Sequence, residues 1–419
     1  MATYLLDWLS LLTRWLHLVA GIAWIGASFY FVWLDNHLEP PADPERKREG
    51  VAGELWAVHG GGFYRASKYR GAPGELPATL HWFYWEAYTT WLSGFGLLCL
   101  LYFVRADAYL IDPTVAMLTR PVAIAIVLLF MVASWLVYDG LCRSRLGRHA
   151  SALSALIAGF LAAEAWALCR LFSGRGAYIV FGTILGTIMV ANVLFVIIPG
   201  QRELVRAKQQ GRDPDPAPGL RGKQRSVHNT YFTLPVLFVM MSNHYAMTYG
   251  ARFNWLVLIG MSVAGACIRV WFVARHGAAH GKRTPALPAV LGALCLAALV
   301  FALAPGSWLG TSSAGRPADG EPAAGQPGAG QSAAGANPVV VNWIVQQRCV
   351  PCHATSPTQP GFSAAPNGVV LQRLDQVLAH LPEVQRQLAT KAMPLGNLTG
   401  MTDDERSMML TWIGEGARQ

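Results

Sequence analysis

Eight long apolar runs, separated by loops that alternate between basic and nearly uncharged, constrain this chain more than any other feature. They lie at about 8–34, 77–104, 119–140, 150–172, 176–199, 228–249, 253–275 and 285–305. Each is close to the roughly 20 residues a helix needs to cross a bilayer. In lipid a backbone must satisfy its own hydrogen bonds, so such runs fold as helices. Hydrophobic residues make up 53% of the chain and charged residues only 14%, against about 25% charged in a soluble globule. Fifteen tryptophans also suit a membrane protein, whose water boundary accommodates the indole ring. The first seven residues lack Lys and Arg, and the run behind them is long enough to span, so no cleavable signal peptide is expected.

Loop charge sets the direction. Arg46, Lys47, Arg48, Arg65, Lys68 and Arg70 follow the first run, and Arg143, Arg145 and Arg148 follow the third. Arg202, Arg206, Lys208, Arg212, Arg221, Lys223 and Arg225 follow the fifth, and Arg275, Lys282 and Arg283 the seventh. The alternate loops carry far fewer, such as Arg105 beside Asp107 and Asp112, or Arg252 alone. The positive-inside rule puts the rich loops in the cytoplasm. The N-terminus is then outside, and eight crossings return the C-terminal tail to the outside. These loops carry much of the net charge of +9, and no nucleic-acid motif accompanies them, so no nucleic-acid partner is expected.

Residues 306–338, with "GTSSAGRPADGEPAAGQPGAGQSAAGAN", are Gly, Ala, Pro and Ser without an apolar period. Such a segment cannot bury a core and reads as a flexible tether. A compact domain, 339–419, follows it. Five cysteines (Cys99, Cys142, Cys169, Cys267 and Cys295) sit singly in or beside apolar runs and read as small buried hydrophobes. Cys349 and Cys352 differ, because "CVPCH" is the attachment signal of a c-type haem. The two thiols add across the haem vinyl groups, and His353 then reaches the iron from one face. Met393, in "KAMPLGN", is the sixth ligand favoured over Met401, Met408 and Met409. A thioether opposite His raises the iron potential. "TDDERSMMLTWIGEGA" reads as a closing helix with Thr402 as N-cap, Glu405 completing a capping box and Trp412 in the core. The fold class is therefore all-α: an eight-helix transmembrane bundle (1–305), a linker and a class I cytochrome c domain. Haem is attached to c-type cytochromes on the outer side, where loop charge alone already places this tail.

Polar residues inside the spans mark a functional interior, because they are costly in lipid. Arg14, His17, Gly21, Trp24 and Ser28 share one face of the first run at steps of three and four. In the second, His81, Trp85 and Tyr88 form one stripe and Trp82, Glu86, Thr89 and Ser93 the next. The sixth holds His228, Asn229, Asn243 and His244, and Glu164, Asn192 and Arg269 lie elsewhere. At 1.5 Å per residue, His17 lies roughly 13 Å and His244 roughly 8–12 Å below the outer surface. Those depths are compatible with two axial ligands to one haem b. His81 and His228 lie toward the inner face and are open to a second haem, a metal, a substrate or a structural role. In the first inner loop, His59 precedes Gly60, Gly61 and Gly62, which admit close backbone approach. Arg65, Lys68 and Arg70 add charge and Phe63 and Tyr64 flat surfaces, which suits a planar anion; an ordinary turn is the other reading. No dinucleotide or Walker fingerprint is present.

"RWLHLVAGIAWIGASFYFVWLDNHLEPP", "AVHGGGFYRASKY", "LHWFYWEAYTTWLSGF" and "TLPVLFVMMSNHY" resemble the bacterial membrane-bound urate oxidase family, whose members join an eight-span domain to a C-terminal cytochrome c. The resemblance covers nearly the whole chain. It implies an inner-membrane enzyme that oxidises urate to 5-hydroxyisourate in purine breakdown without forming hydrogen peroxide. It implies electron transfer through haem c to a respiratory acceptor such as a cytochrome c oxidase. It places urate near His59 and its glycines, Arg65 and Asn229, with His81, Glu86 and His228 as catalytic groups. A weaker likeness of the first run to membrane protoporphyrinogen oxidases and copper-resistance D proteins motivates haem b at His17 and His244. Rival readings are a quinol or porphyrinogen dehydrogenase with the same tail, and an anchored electron shuttle without catalysis. Metal transport is a third, but it gives the haem tail no purpose.

Overall fold

The computed structural model describes residues 2–304, 307 and 338–417, apart from 105, 113–114, 277–283, 360–361, 363 and 390–391. The expected linker therefore lies outside the described residues almost entirely, as do Lys282 and Arg283. Helices occupy each of the apolar runs. They are α1 (Ala2–His37), α2 (Trp85–Leu97, continuing as a π-helical stretch Leu98–Phe103) and the short α3 (Ala106–Tyr109). Then come α4 (Arg120–Arg143), α5 (Ala150–Leu171), α6 (Gly174–Asn192), α7 (Pro216–Ser242), α8 (Asn254–Arg275) and α9 (Leu287–Ala302). Among the described residues, five helices are long and apolar enough to cross a membrane: α1, α4, α5, the extended α6 and α8.

The other three differ from the sequence expectation. The second run starts as a helix only at Trp85, and residues 77–84 before it are not helical. His81 and Trp82 therefore precede the helix and share no stripe with Trp85 or Glu86. The sixth begins at Pro216 and ends at Ser242, so Asn243 and His244 fall in the turn beyond it. At 1.5 Å per residue α9 spans about 24 Å, short of a hydrocarbon core of about 30 Å.

α6 is the axis of the bundle. Its apolar stretch is 67% buried, whereas that of α1 is 6% buried and turns Leu12, Trp15, Val19 and Ile22 outward. Tyr178, Ile184, Leu185 and Ile188 of α6 pack in a core with α4, α5 and α7. After Asn192 the helix widens into a π-helical stretch (Val193–Ile197) before running on as Ile198–Gln209. Pro199 explains the widening, since it has no N–H to donate to the carbonyl four residues back.

The first basic loop is not featureless. β1 (Val51–His59) and β2 (Gly62–Tyr69) pair antiparallel, with His59 opposite Gly62. Gly60 (φ 58°) and Gly61 (φ 79°) form the two-residue turn, so their φ > 0 is required by the hairpin itself.

The tail has its own core. α10 (Pro338–Ile344) runs through a π-helical stretch (Val345–Cys349) into Val350–His353, and α11 (Leu374–Ala379), α12 (Leu381–Ala389) and α13 (Asp403–Gly414) follow. Val341, Ile344 and Val345 pack against Met409, Trp412 and Ile413. The predicted capping box is present: Thr402 Oγ1 accepts from Glu405 N, and Glu405 Oε2 accepts from Thr402 N.

Candidate functional site

At the end of the bundle that carries the basic loops, α4, α6 and α7 bring together a polar network. Arg225, His228 and Asn229 lie on one face of α7, at steps of three and four. Asn192 Nδ2 donates to Asn229 Oδ1 (2.8 Å) and to Tyr138 Oη (3.2 Å). Asn229 Nδ2 donates to Met189 O (2.9 Å). The Tyr138 hydroxyl meets His228 Nδ1 at 2.7 Å. Because Tyr138 Oη already accepts from Asn192, its own proton is best given to His228 Nδ1. That assignment makes His228 a neutral ring carrying its proton on Nε2. Cys142 Sγ lies 3.9 Å from the same Nδ1.

Arg225 joins this network to a cavity. Its side chain is 3% exposed and its Nη2 donates to Asp139 Oδ1 at 2.7 Å. Asp139 also pairs with Arg143 at 2.6 Å, and the Arg225 guanidinium lies 4.9 Å over the Tyr138 ring. Arg225 Nε and Nη1 are buried without a hydrogen-bond partner. The cavity beside them, about 1000 Å³, is lined by Arg143, Arg148, Arg221 and Arg225, with Glu203 and Cys142. Phe195 and Val196 of the π-helical stretch form part of its wall. His228 stands one side chain behind that wall, next to Cys142. The arrangement can bind a flat anion against a desolvated guanidinium, with a tyrosine–histidine pair behind it.

Among the residues expected from the sequence, His228 and Asn229 are therefore brought together. His59 and Arg65 lie instead on the exposed hairpin, where Arg65 stacks over Trp56 at 5.1 Å. His81 is exposed and meets Phe83 edge-on at 4.8 Å. Glu86 sits half-buried in the first turn of α2. Among the described residues no contact joins these groups to the network around His228. Tyr138, Asp139 and Arg225 are the residues sequence reasoning missed as site residues. The signal for Arg225 was present: "RSVHN" places it on the helix face of His228 and Asn229.

His17 faces α2, where its Nδ1 lies 2.9 Å from Thr90 O and 3.2 Å from Ser93 Oγ. Gly94 makes room for the ring, since a Cβ there would come 2.8 Å from His17 Cε1. The Nδ1 proton goes to the carbonyl and leaves Nε2 as a lone-pair nitrogen. His244 is exposed in the turn after α7, and no contact links it to His17 among the described residues.

In the tail, the fit to a c-type haem can be tested on the residues themselves. Cys349, Cys352 and His353 follow one another along a helical segment. His353 Nδ1–H donates to Val369 O at 2.8 Å, which fixes the ring and leaves Nε2 for iron. Burial pulls this imidazole below its ordinary value, which keeps that nitrogen unprotonated, while the Val369 bond pulls the other way. Met401 and Met409 are buried in the core and Met408 is exposed. Met393 is half-buried outside the core, and its carbonyl is held by Arg406 Nη1 at 2.6 Å. The residues fit the group.

Arg348, beside the motif, grips Glu405 of α13 through Nε and Nη2 at 2.9–3.1 Å and Thr399 O through Nη1 at 2.6 Å. Burial pushes the Glu405 carboxyl up, but the bonds from Arg348 and Thr402 outweigh it and hold the carboxyl below its ordinary value of 4.5. A carboxyl that titrates lower folded than unfolded contributes its stability at neutral pH and loses it as pH falls below 4.5 through the folded value. The urea midpoint of the tail, read by pulse proteolysis, is therefore expected to drop between pH 5 and pH 3 by more in the wild type than in Glu405→Gln. Equal drops would rule out this latch.

Helices long and apolar enough to span a membrane, with a basic cavity at one end of the bundle, are consistent with a membrane protein. Over residues 3–304 the chain matches the family described as urate oxidase N-terminal, and it belongs to that family. It is accordingly read as a urate-related oxidoreductase. No curated protein and no solved structure matches the chain.

Proposed function

We propose that this chain is a membrane-bound urate oxidase. It takes urate from the cytoplasm into the cavity beside Arg225, oxidises it to 5-hydroxyisourate, and passes the electrons out through its cytochrome c tail to a respiratory acceptor. Hydrogen peroxide is not formed. The observation that carries this reading is the cavity lined by Arg143, Arg148, Arg221 and Arg225 within the region that matches the family. The positive-inside rule puts that cavity on the side where urate is made.

Urate at neutral pH is a planar monoanion. Its oxidation consumes one water and yields 5-hydroxyisourate, two electrons and one proton. Arg225 lines the cavity and orients the anion by its charge, and Arg143, Arg148 and Arg221 raise its local concentration. Asp139 holds the guanidinium in place. His228, held by Tyr138 and next to the cavity-lining Cys142, is the group proposed to exchange protons as substrate charge changes. Haem c, held by Cys349, Cys352, His353 and Met393, supplies a one-electron carrier when bound. His17, with Nδ1 tied to Thr90, is the residue that would hold a haem b within the bundle.

Anaerobic addition of urate to purified protein tests the reading. The haem c bands are expected to reduce with urate and not with quinols or porphyrinogens. Reduction by a quinol alone would overturn it in favour of a quinol dehydrogenase.

A further inference from the structure

The end of the bundle away from the basic loops carries an arginine that the function above leaves unused. Arg175 is the second residue of α6. Its guanidinium lies 5.6 Å over Tyr109 and 5.5 Å over Tyr249, and its Nη2 donates to the Tyr249 hydroxyl at 3.2 Å. The third ring around it belongs to the tail: Phe362, at 5.1 Å. Beside it the Tyr109 hydroxyl donates to Asn367 Oδ1 of the tail at 3.1 Å. One cation is thus enclosed by three aromatic rings drawn from two domains.

The membrane side of this contact is built firmly. Ser173 caps α6 by accepting from Gly176 N (3.0 Å) and donates to Tyr109 O (2.8 Å). Gly174 leaves no room for a side chain, since a Cβ would come 2.1 Å from Tyr249 O. Tyr109 and Tyr249 are therefore fixed around Arg175 before the tail arrives.

The tail side is the segment that follows the haem-attachment motif. Thr358 N and Gln359 N fold it back onto Pro351 O, between the two cysteines. Two residues after Asn367, Val369 takes the proton of His353. The part of the tail that meets the bundle is hence the segment folded back onto the attachment motif.

We propose that Arg175, with Tyr109 and Tyr249, is the docking clamp for the chain's own cytochrome domain, and the port through which electrons enter it. The electron-entry half of this rests on the urate reading; the docking half does not. A planar guanidinium suits the role because it stacks on several rings at once, which an ammonium does less well. The patch is small, and it can be. The two domains belong to one chain, so docking is intramolecular and a contact too weak to hold separate proteins together suffices. Weak docking also frees the same segment to visit an outside acceptor between turnovers.

The test uses the full haem-loaded chain with Asp107→Cys and Pro366→Cys, on the two touching segments but outside the clamp, and a protease site in the linker. A short bis-thiol reagent is expected to join the two positions, so that the tail stays with the bundle after the linker is cut. Arg175→Gln in that background is expected to slow cross-linking about tenfold, with Arg175→Lys between the two. In the otherwise native chain, Arg175→Gln is expected to slow haem c reduction by urate about tenfold, with the dithionite-reduced spectrum and midpoint potential unchanged. No cross-link in the parent, or equal rates in parent and Arg175→Gln, would overturn the docking clamp whatever urate does. Normal cross-linking loss with unchanged reduction kinetics would overturn the port alone. If urate reduces no variant, the port falls with the urate reading while the cross-link result still decides the clamp.

Discussion

Arg225→Gln is expected to lower kcat/KM for urate about a hundredfold, mostly through KM. The guanidinium is almost wholly desolvated, and two of its donors have no partner in the protein. Removing one partner of a buried, hydrogen-bonded charge pair costs roughly 2–5 kcal/mol. A hundredfold is about 2.8 kcal/mol, toward the lower end of that range. Arg225 grips the anion before and during oxidation alike, and uniform binding of that kind appears in KM while kcat stays. Glutamine keeps most of the length and loses the charge. Lysine restores charge without the planar fork and is expected to recover only part of the affinity. Asp139 keeps Arg143 as a partner in these variants, so its carboxylate is not stranded. The measurement is urate-dependent reduction of an added cytochrome c acceptor, normalised to covalent haem. Undiminished kcat/KM in Arg225→Gln at normal haem content would remove the cavity from the reaction.

Much of this architecture was legible in the residues, and the failures have specific physical causes. Apolar runs of bilayer length located helices α1, α4, α5 and α8 to within a few residues, except that α1 starts earlier, because burial in lipid and helix length are both written in hydropathy. The capping box at Thr402 and Glu405 was readable for the same local reason. The start of α2 was not, since the aromatic residues ahead of Trp85 keep hydropathy high. Neither was the hairpin: "HGGG" admits both a ligand loop and a two-glycine turn, and only the pairing of Trp56 with Arg65 and Val58 with Phe63 selects the turn. The inner site was half legible. His228 and Asn229 stood out as polar residues in an apolar run. Arg225 did not, because hydropathy puts it in the loop before the run, where the positive-inside rule already explains a basic residue, although it lies within α7. Tyr138 was hidden for the opposite reason: a tyrosine in a span looks like packing until its hydroxyl is seen to meet a histidine from another helix.

Cys349→Ala with Cys352→Ala is expected to abolish covalent haem and, with it, all urate-driven electron flow out of the membrane domain. Haem staining on a denaturing gel reads the first, and reduction of an added acceptor the second. The loss is complete because a thioether needs a thiol at each vinyl group, and His353 alone offers only a reversible bond. Single variants keep one thioether and are expected to retain weaker staining. Met393→Ala separates attachment from ligation: staining persists, while the midpoint potential falls, since the thioether is what raises it. Met401 and Met409 provide the contrast. They are 4% and 0% exposed in the tail core, so their replacement by alanine is expected to cost about 2–5 kcal/mol of tail stability instead. Met408 is 41% exposed, and its replacement is expected to change neither property. A drop in potential for Met401→Ala with none for Met393→Ala would move the sixth ligand to Met401. Full urate-driven flow in the double cysteine variant would mean that electrons leave the bundle by a route that bypasses the tail.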